Sequence, residues 1–303
     1  MGKSVKVCII VIVSLVVIIV LFRTAINTSR VPANYIDHVE TGGELEAHYL
    51  KMGKYEVAHL EKNFPETFPD KWSKYVIYYP KELEQNKQQY PVVIFANGTG
   101  VGASKYSEMF EHLGSWGFIV LGNEDPETAT GESIDTTLSI LLNENKDKES
   151  IFFGKVDVES IGICGHSQGG VAVFNSISSQ EHSNMYKCAV ALSPSDEANS
   201  AKQGRAYDSS KTTIPIMIFA GTEYDAISLE NMKSIYQKID AHKIIGRKTG
   251  MGHGEMLYSA DGYVTAWFMW QLQNDQNAAN AFIGENPEIF RNELYQDQQS
   301  NLH

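Results

Sequence analysis

The residues with the clearest chemical meaning are Gly165-His166-Ser167-Gln168-Gly169, a match to G-x-S-x-G. An apolar run, Ser160–Gly165, predicts a strand before the serine, and Gln168–Ser179 predicts a helix after it. In that context the motif is a nucleophile elbow. A sharp strand-to-helix turn lifts the hydroxyl above a sheet, and glycines flank it because side chains there would clash. No Walker lysine follows the glycines and G-x-G-x-x-G is absent, so a phosphate loop is the weaker reading. A serine hydroxyl needs a base, the base needs an acid to orient it, and the oxyanion of a tetrahedral intermediate needs two preorganised N–H donors.

On a strand–turn–helix elbow these partners follow in the order serine, acid, histidine. Among nine histidines, His253 lies in the glycine-rich stretch "TGMGHGEM" just past the last predicted core strand, where a base can reach across to the serine. His38, His48 and His59 come too early in the chain, and His303 is terminal; His182 and His242 fall at a helix end and a strand start. His166 neighbours the serine but is expected to point away from it, into the packing around the turn. The acid is expected at Asp225 in "IFAGTEYDAIS", with Glu223 in the same loop and Asp196 in "SPSDEA" as alternatives. The backbone N–H of Gln168 and that of Thr99, in the loop "NGTG", are the expected oxyanion donors, with Gly98 the alternative to Thr99. A serine mechanism of this kind requires no cofactor or metal, and none is expected.

These residues require a scaffold that brings several strand ends together. Short buried runs alternate with amphipathic segments: Val92–Ala96, Phe118–Gly122, Ser160–Gly165, Cys188–Ser193, Ile214–Gly221 and His242–Lys248 read as strands. Between them, Ser104–Trp116, Glu132–Asn143, Gln168–Ser179 and Leu229–Ile239 read as helices, and Asp261–Leu272 closes the series. Tyr55–Glu61 and Tyr75–Tyr79 read as an antiparallel pair at a sheet edge. The pattern predicts an α/β fold with a mostly parallel sheet of about eight strands and helices on both faces. Pro194–Thr213 leaves little room for an inserted lid, and a Gln- and Asn-rich tail ends the chain.

The first thirty residues have a different character. Lys3 and Lys6 precede an unbroken apolar run, Val7–Phe22, which Arg23 ends. As a helix it spans roughly 24 Å, a little short of the ~30 Å hydrocarbon core. Residues 1–30 are therefore expected to be a signal-anchor or a cleaved signal peptide, 31–54 a linker and lead-in, and 55–303 the catalytic domain. That places the domain outside the cytoplasm, either held to the cell membrane by a single N-terminal span or secreted. The 303-residue chain carries 37 acidic against 25 basic side chains, a net charge of -12, which argues against a nucleic-acid partner. Cys164 and Cys188 fall in predicted strands and read as buried free thiols. Sequons occur at Asn27 and Asn97, the latter inside the expected oxyanion loop, where a glycan would obstruct the site.

From about Tyr55 to Gln273 the chain resembles the α/β-hydrolase superfamily, on the segments "VDVESIGICGHSQGG", "PVVIFANGTG" and "GHG". More narrowly it is similar to the lidless branch of dienelactone-hydrolase-like and cutinase-like polyester-hydrolysing esterases. The resemblance implies nucleophile, acid and base roles for Ser167, Asp225 and His253, and oxyanion roles for Thr99 and Gln168. The chain departs from the branch in three places. Thr99 replaces the usual aromatic, "GTEYD" is one residue longer than the usual G-x-x-D, and Ser167 stands where dienelactone hydrolases carry cysteine. The expected activity is hydrolysis of a small-molecule or polymeric carboxylic ester, with short soluble acyl groups favoured by an uncapped cleft that Tyr106 and Tyr258 line. Acyl transfer, thioester or peptide cleavage on the same triad, and a catalytically idle surface-binding module, are the alternatives.

Overall fold

The computed structural model describes residues 31–302, and the apolar segment Val7–Phe22 and the sequon at Asn27 lie outside them. Nine strands form one sheet: β1 (Val57–Asn63), β2 (Lys74–Pro80), β3 (Tyr90–Ala96), β4 (Ile119–Asn123), β5 (Val156–His166), β6 (Tyr186–Leu192), β7 (Ile216–Glu223), β8 (Lys243–Gly252) and β9 (Tyr295–Ser300). Their order is β1-β2-β4-β3-β5-β6-β7-β8-β9. From β4 to β8 every neighbouring pair is parallel, while β1/β2, β2/β4 and β8/β9 are antiparallel. This is the α/β fold with a mostly parallel sheet that the alternation of buried runs and amphipathic segments predicts, and it is consistent with the α/β-hydrolase resemblance.

The continuous apolar runs follow from burial on both faces of the sheet. Successive side chains of β3 alternate between two cores. Val92, Ile94 and Ala96 join Ile134, Leu138, Val171 and Phe174 of the helices Glu132–Glu144 and Gln168–Ser179. Val93 and Phe95 join Met109, Phe110, Trp267 and Phe268 of the helices Ser107–Ser115 and Asp261–Gln273. Cys164 and Cys188 are buried free thiols in this sheet. Among the described residues no helix is long and apolar enough to cross a membrane.

Two expectations need correction. The sheet has nine strands rather than about eight, because part of the polar tail, Tyr295–Ser300, pairs with β8. Its polar composition hid it: only Tyr295 of β9 is buried, so no apolar alternation marks it. Residues 31–54 are not a linker but part of the packed domain. They include the helix Glu44–Leu50, and Val31, Tyr35, Tyr49 and Leu50 are all buried. The segment is stitched down by buried polar groups. Lys248 Nζ lies 3.0 Å from Glu46 Oε1, and both side chains are almost fully enclosed. Glu46 also accepts from Tyr295 Oη at 2.9 Å and Asn292 Nδ2 at 2.7 Å. His112 Nδ1 lies 2.7 Å from Asp261 Oδ2, which also accepts from the Tyr35 hydroxyl. A buried charge must be paired and hydrogen-bonded to be tolerable, and Glu46 meets that condition.

Candidate active site

Ser167, Asp225, His253 and Thr99 all follow the C-terminal ends of parallel strands, β5, β7, β8 and β3, the side of an open α/β sheet where ligands bind. The elbow is built by close approach. A Cβ on Gly165 would lie 2.2 Å from the carbonyl oxygen of Gly169, and one on Gly169 would lie 2.0 Å from that of Ala96. Only glycine fits either position. Ser167 itself sits at φ 60°, ψ -121°, a strained backbone for a serine that costs about 1–3 kcal/mol. Its N–H donates to Leu192 O at 2.9 Å and its carbonyl accepts from Gly170 N at 2.9 Å, which holds the turn.

His253 lies between Ser167 and Asp225. Its Nε2 lies 2.9 Å from Ser167 Oγ and its Nδ1 lies 3.3 Å from Asp225 Oδ1. The imidazole is 31% exposed whereas the Asp225 side chain is 3% exposed, so the ring opens to solvent and the carboxylate is enclosed behind it. Burial alone would push the Asp225 carboxyl up. Hydrogen bonds from His253, Ser193 and Gly221 outweigh it and hold the group below the ordinary carboxylate range. Oδ2 accepts from Ser193 Oγ and Gly221 N, each at 2.6 Å. The two alternative acids are placed elsewhere. Glu223 is exposed, and Asp196 caps the helix Glu197–Lys202, accepting from Asn199 N at 2.9 Å and Nδ2 at 2.6 Å.

Thr99 and Gln168 are brought together from two elements. Gln168 Nε2 donates to Thr99 Oγ1 at 3.2 Å. Among the described residues neither backbone N–H has an acceptor, whereas Gly98 N–H is engaged by Tyr106 Oη at 3.1 Å. The loop that carries Thr99 is pinned by Asn97, whose Nδ2 donates to Asn123 O at 2.6 Å and Asp125 O at 3.1 Å. Asn97 is fully buried, so its sequon is not an accessible glycan acceptor in the folded chain. Tyr106, expected in the cleft wall, is instead a buried support beneath the loop. Tyr258 is half-buried, packs edge-on to Tyr35 at 5.8 Å between ring centroids, and lines a cavity of about 360 Å³ with Met251 and Val39.

Two residues that touch this constellation were not expected to. Ser193, in "ALSPSD", has φ 44° and aims its hydroxyl at Asp225. Its position directly after a buried parallel strand was the available signal. His166 is buried as expected, yet its ring packs against that of His253, 4.8 Å between centroids, and its Nε2 lies 2.6 Å from His253 O. Burial, and secondarily the neighbouring His253, push the His166 imidazole down to about 4.

A family model described as Chlorophyllase matches residues 46–219, more than half of the chain. Chlorophyllase-1, chloroplastic, of Citrus unshiu and of Citrus sinensis are each 29% identical to the chain over 98 residues. The chain spans 29% of the length of these curated relatives, over 29% of its own.

Proposed function

The chain belongs to the chlorophyllase family, an α/β-hydrolase-type ester-hydrolase family, and from that membership and the site's geometry we propose that it cleaves carboxylic esters through an acyl-enzyme on Ser167. The observation that carries this reading is His253 set between Ser167 Oγ at 2.9 Å and Asp225 Oδ1 at 3.3 Å. Neutral His253, with its proton on Nδ1 toward Asp225, takes the Ser167 proton on Nε2 as Oγ attacks the ester carbonyl carbon. The oxyanion that forms is met by the N–H groups of Thr99 and Gln168. Collapse of the tetrahedral intermediate breaks the ester C–O bond, and the leaving alkoxide takes the proton from His253 Nε2. Water, deprotonated by the same nitrogen, then releases the acid and regenerates Ser167.

The short connection between β6 and β7 supports an uncapped cleft and short, soluble acyl esters. The apolar segment Val7–Phe22 supports a domain anchored at, or exported across, a membrane.

A fluorophosphonate probe tests the reading. Full-length active protein is labelled at Ser167 and loses turnover of p-nitrophenyl acetate in parallel. An unlabelled serine in protein that hydrolyses the ester refutes the mechanism. A panel of p-nitrophenyl esters of rising acyl length, with chlorophyll as a further arm because the matched relatives are named chlorophyllases, reads out the substrate.

A further inference from the structure

We propose that His166 is a positioning residue for the base: its Nε2–H clamps the main-chain carbonyl of His253 while its ring backs the His253 imidazole. The inference rests on the triad reading above. The strand end that leads into the base loop is held by β7, where Gly250 N donates to Thr222 Oγ1 at 2.9 Å and Gly252 pairs with Glu223. Past β8 the support thins: a Cβ built at Gly254 would meet no atom within 4 Å. The His253–Asp225 contact of 3.3 Å is long for an N–H···O bond, which is ordinarily about 2.7–3.2 Å. Gly252 N donates to Glu255 Oε2 at 2.8 Å, but Glu255 is exposed. The short contact from a buried group is His166 Nε2 to His253 O, 2.6 Å.

A carbonyl oxygen only accepts, so the proton of His166 is on Nε2 and Nδ1 is bare. His166 immediately precedes Ser167 in the chain. The clamp therefore ties the base to the same strand end that presents the nucleophile, and any shift of that end carries both partners together. Burial keeps His166 neutral, so no like charge opposes the imidazolium that forms on His253 in the transition state.

The test uses full-length protein with His166→Phe, which keeps a ring and loses the donor, and His166→Gln, which keeps a donor and loses the ring. Loss of the clamp is expected to lower kcat for p-nitrophenyl acetate between about tenfold and about a hundredfold with KM unchanged, the scale of an ångström's misplacement. His166→Gln is expected to recover part of the loss. In proton NMR the downfield Nδ1–H signal of His253 is expected to broaden or vanish in His166→Phe. A phenylalanine variant that keeps kcat within about twofold and retains that signal overturns the clamp while leaving the triad standing. Wild-type protein unlabelled by fluorophosphonate at Ser167 overturns both. Nitrogen-15 shifts of the wild type decide the matter even if His166→Phe does not fold: a neutral His166 protonated on Nε2 supports the clamp, and one protonated on Nδ1 overturns it.

Discussion

The side-chain amide of Gln168 donates to the hydroxyl of Thr99 across 3.2 Å, joining the residue that starts the helix after the nucleophile to the loop that follows β3. One side-chain bond thereby ties together the two elements whose backbone N–H groups are proposed to hold the oxyanion. Thr99→Val removes the acceptor but no oxyanion donor. It is expected to lower kcat by about tenfold, less than the ~10²–10³ lost with a donor itself, and to leave KM nearly unchanged. Gln168→Ala should do the same, and the double variant should lose little more than either, because both remove one interaction. Steady-state kinetics on the three variants check this.

Asp225→Asn leaves the shape of the site intact but favours the wrong tautomer of His253, and a fall in kcat of about 10⁴-fold is expected. Glu223→Gln leaves kcat unchanged. Asp196→Ala also leaves kcat unchanged but costs about 1 kcal/mol of stability through its lost helix cap, measurable by urea titration. Activity that survives Asp225→Asn and is abolished by either other substitution refutes the assignment of the acid.

His166 also predicts a pH dependence of stability. Its imidazole lies at about 4 in the folded protein against an ordinary value of 6.5, so the unfolded chain binds a proton first as the solution is acidified. Stability is unaffected above 6.5 and falls as pH drops from there toward 4, by about 3 kcal/mol in all. The groups facing His166 are His253 and Asp225. Denaturant titrations at pH 7 and pH 4 should differ by less in His166→Phe than in the wild type.

Glu46→Ala strips Lys248 of its buried counter-charge and should cost about 3–5 kcal/mol, the penalty for leaving one partner of an enclosed pair. Burial already pushes the Lys248 ammonium below its ordinary range, with Glu46 only partly compensating. Glu46→Ala combined with Lys248→Met should recover part of the loss. Full recovery is prevented by Tyr295 and Asn292, whose donors are still left without their acceptor.

The parallel part of the sheet was legible in sequence because strands buried on both faces write themselves as unbroken apolar runs, as in Val92–Ala96. The serine and histidine were legible because the elbow needs glycines at fixed offsets and the base needs a loop past the last core strand. Other features carry a weaker local mark or none. Ser193 reaches Asp225 only through a backbone at φ 44°, and nothing in "ALSPSD" announces that conformation. His166 was read from its neighbour in sequence, while its partner lies 87 residues away. The segment 31–54 looked like a linker because the groups that bury it, Glu46, Tyr35 and Tyr49, are polar-tipped, and their partners Lys248, Asp261 and Asp275 come late in the chain.

That last arrangement sets an order for folding. The Tyr295 hydroxyl that satisfies Glu46 comes from 249 residues further along, and Asn292 from 246. A chain still emerging from the ribosome can therefore form the strands around Ser167 before Glu46 has any means of being buried. The helix Glu44–Leu50 gains the last of these contacts only when the final strand arrives, since contacts this distant in sequence close late. A product that stops short of Tyr295 would keep Ser167, Asp225 and His253, and Lys248 and Asn292 beside Glu46, yet lack the hydroxyl that completes the donors around that carboxylate.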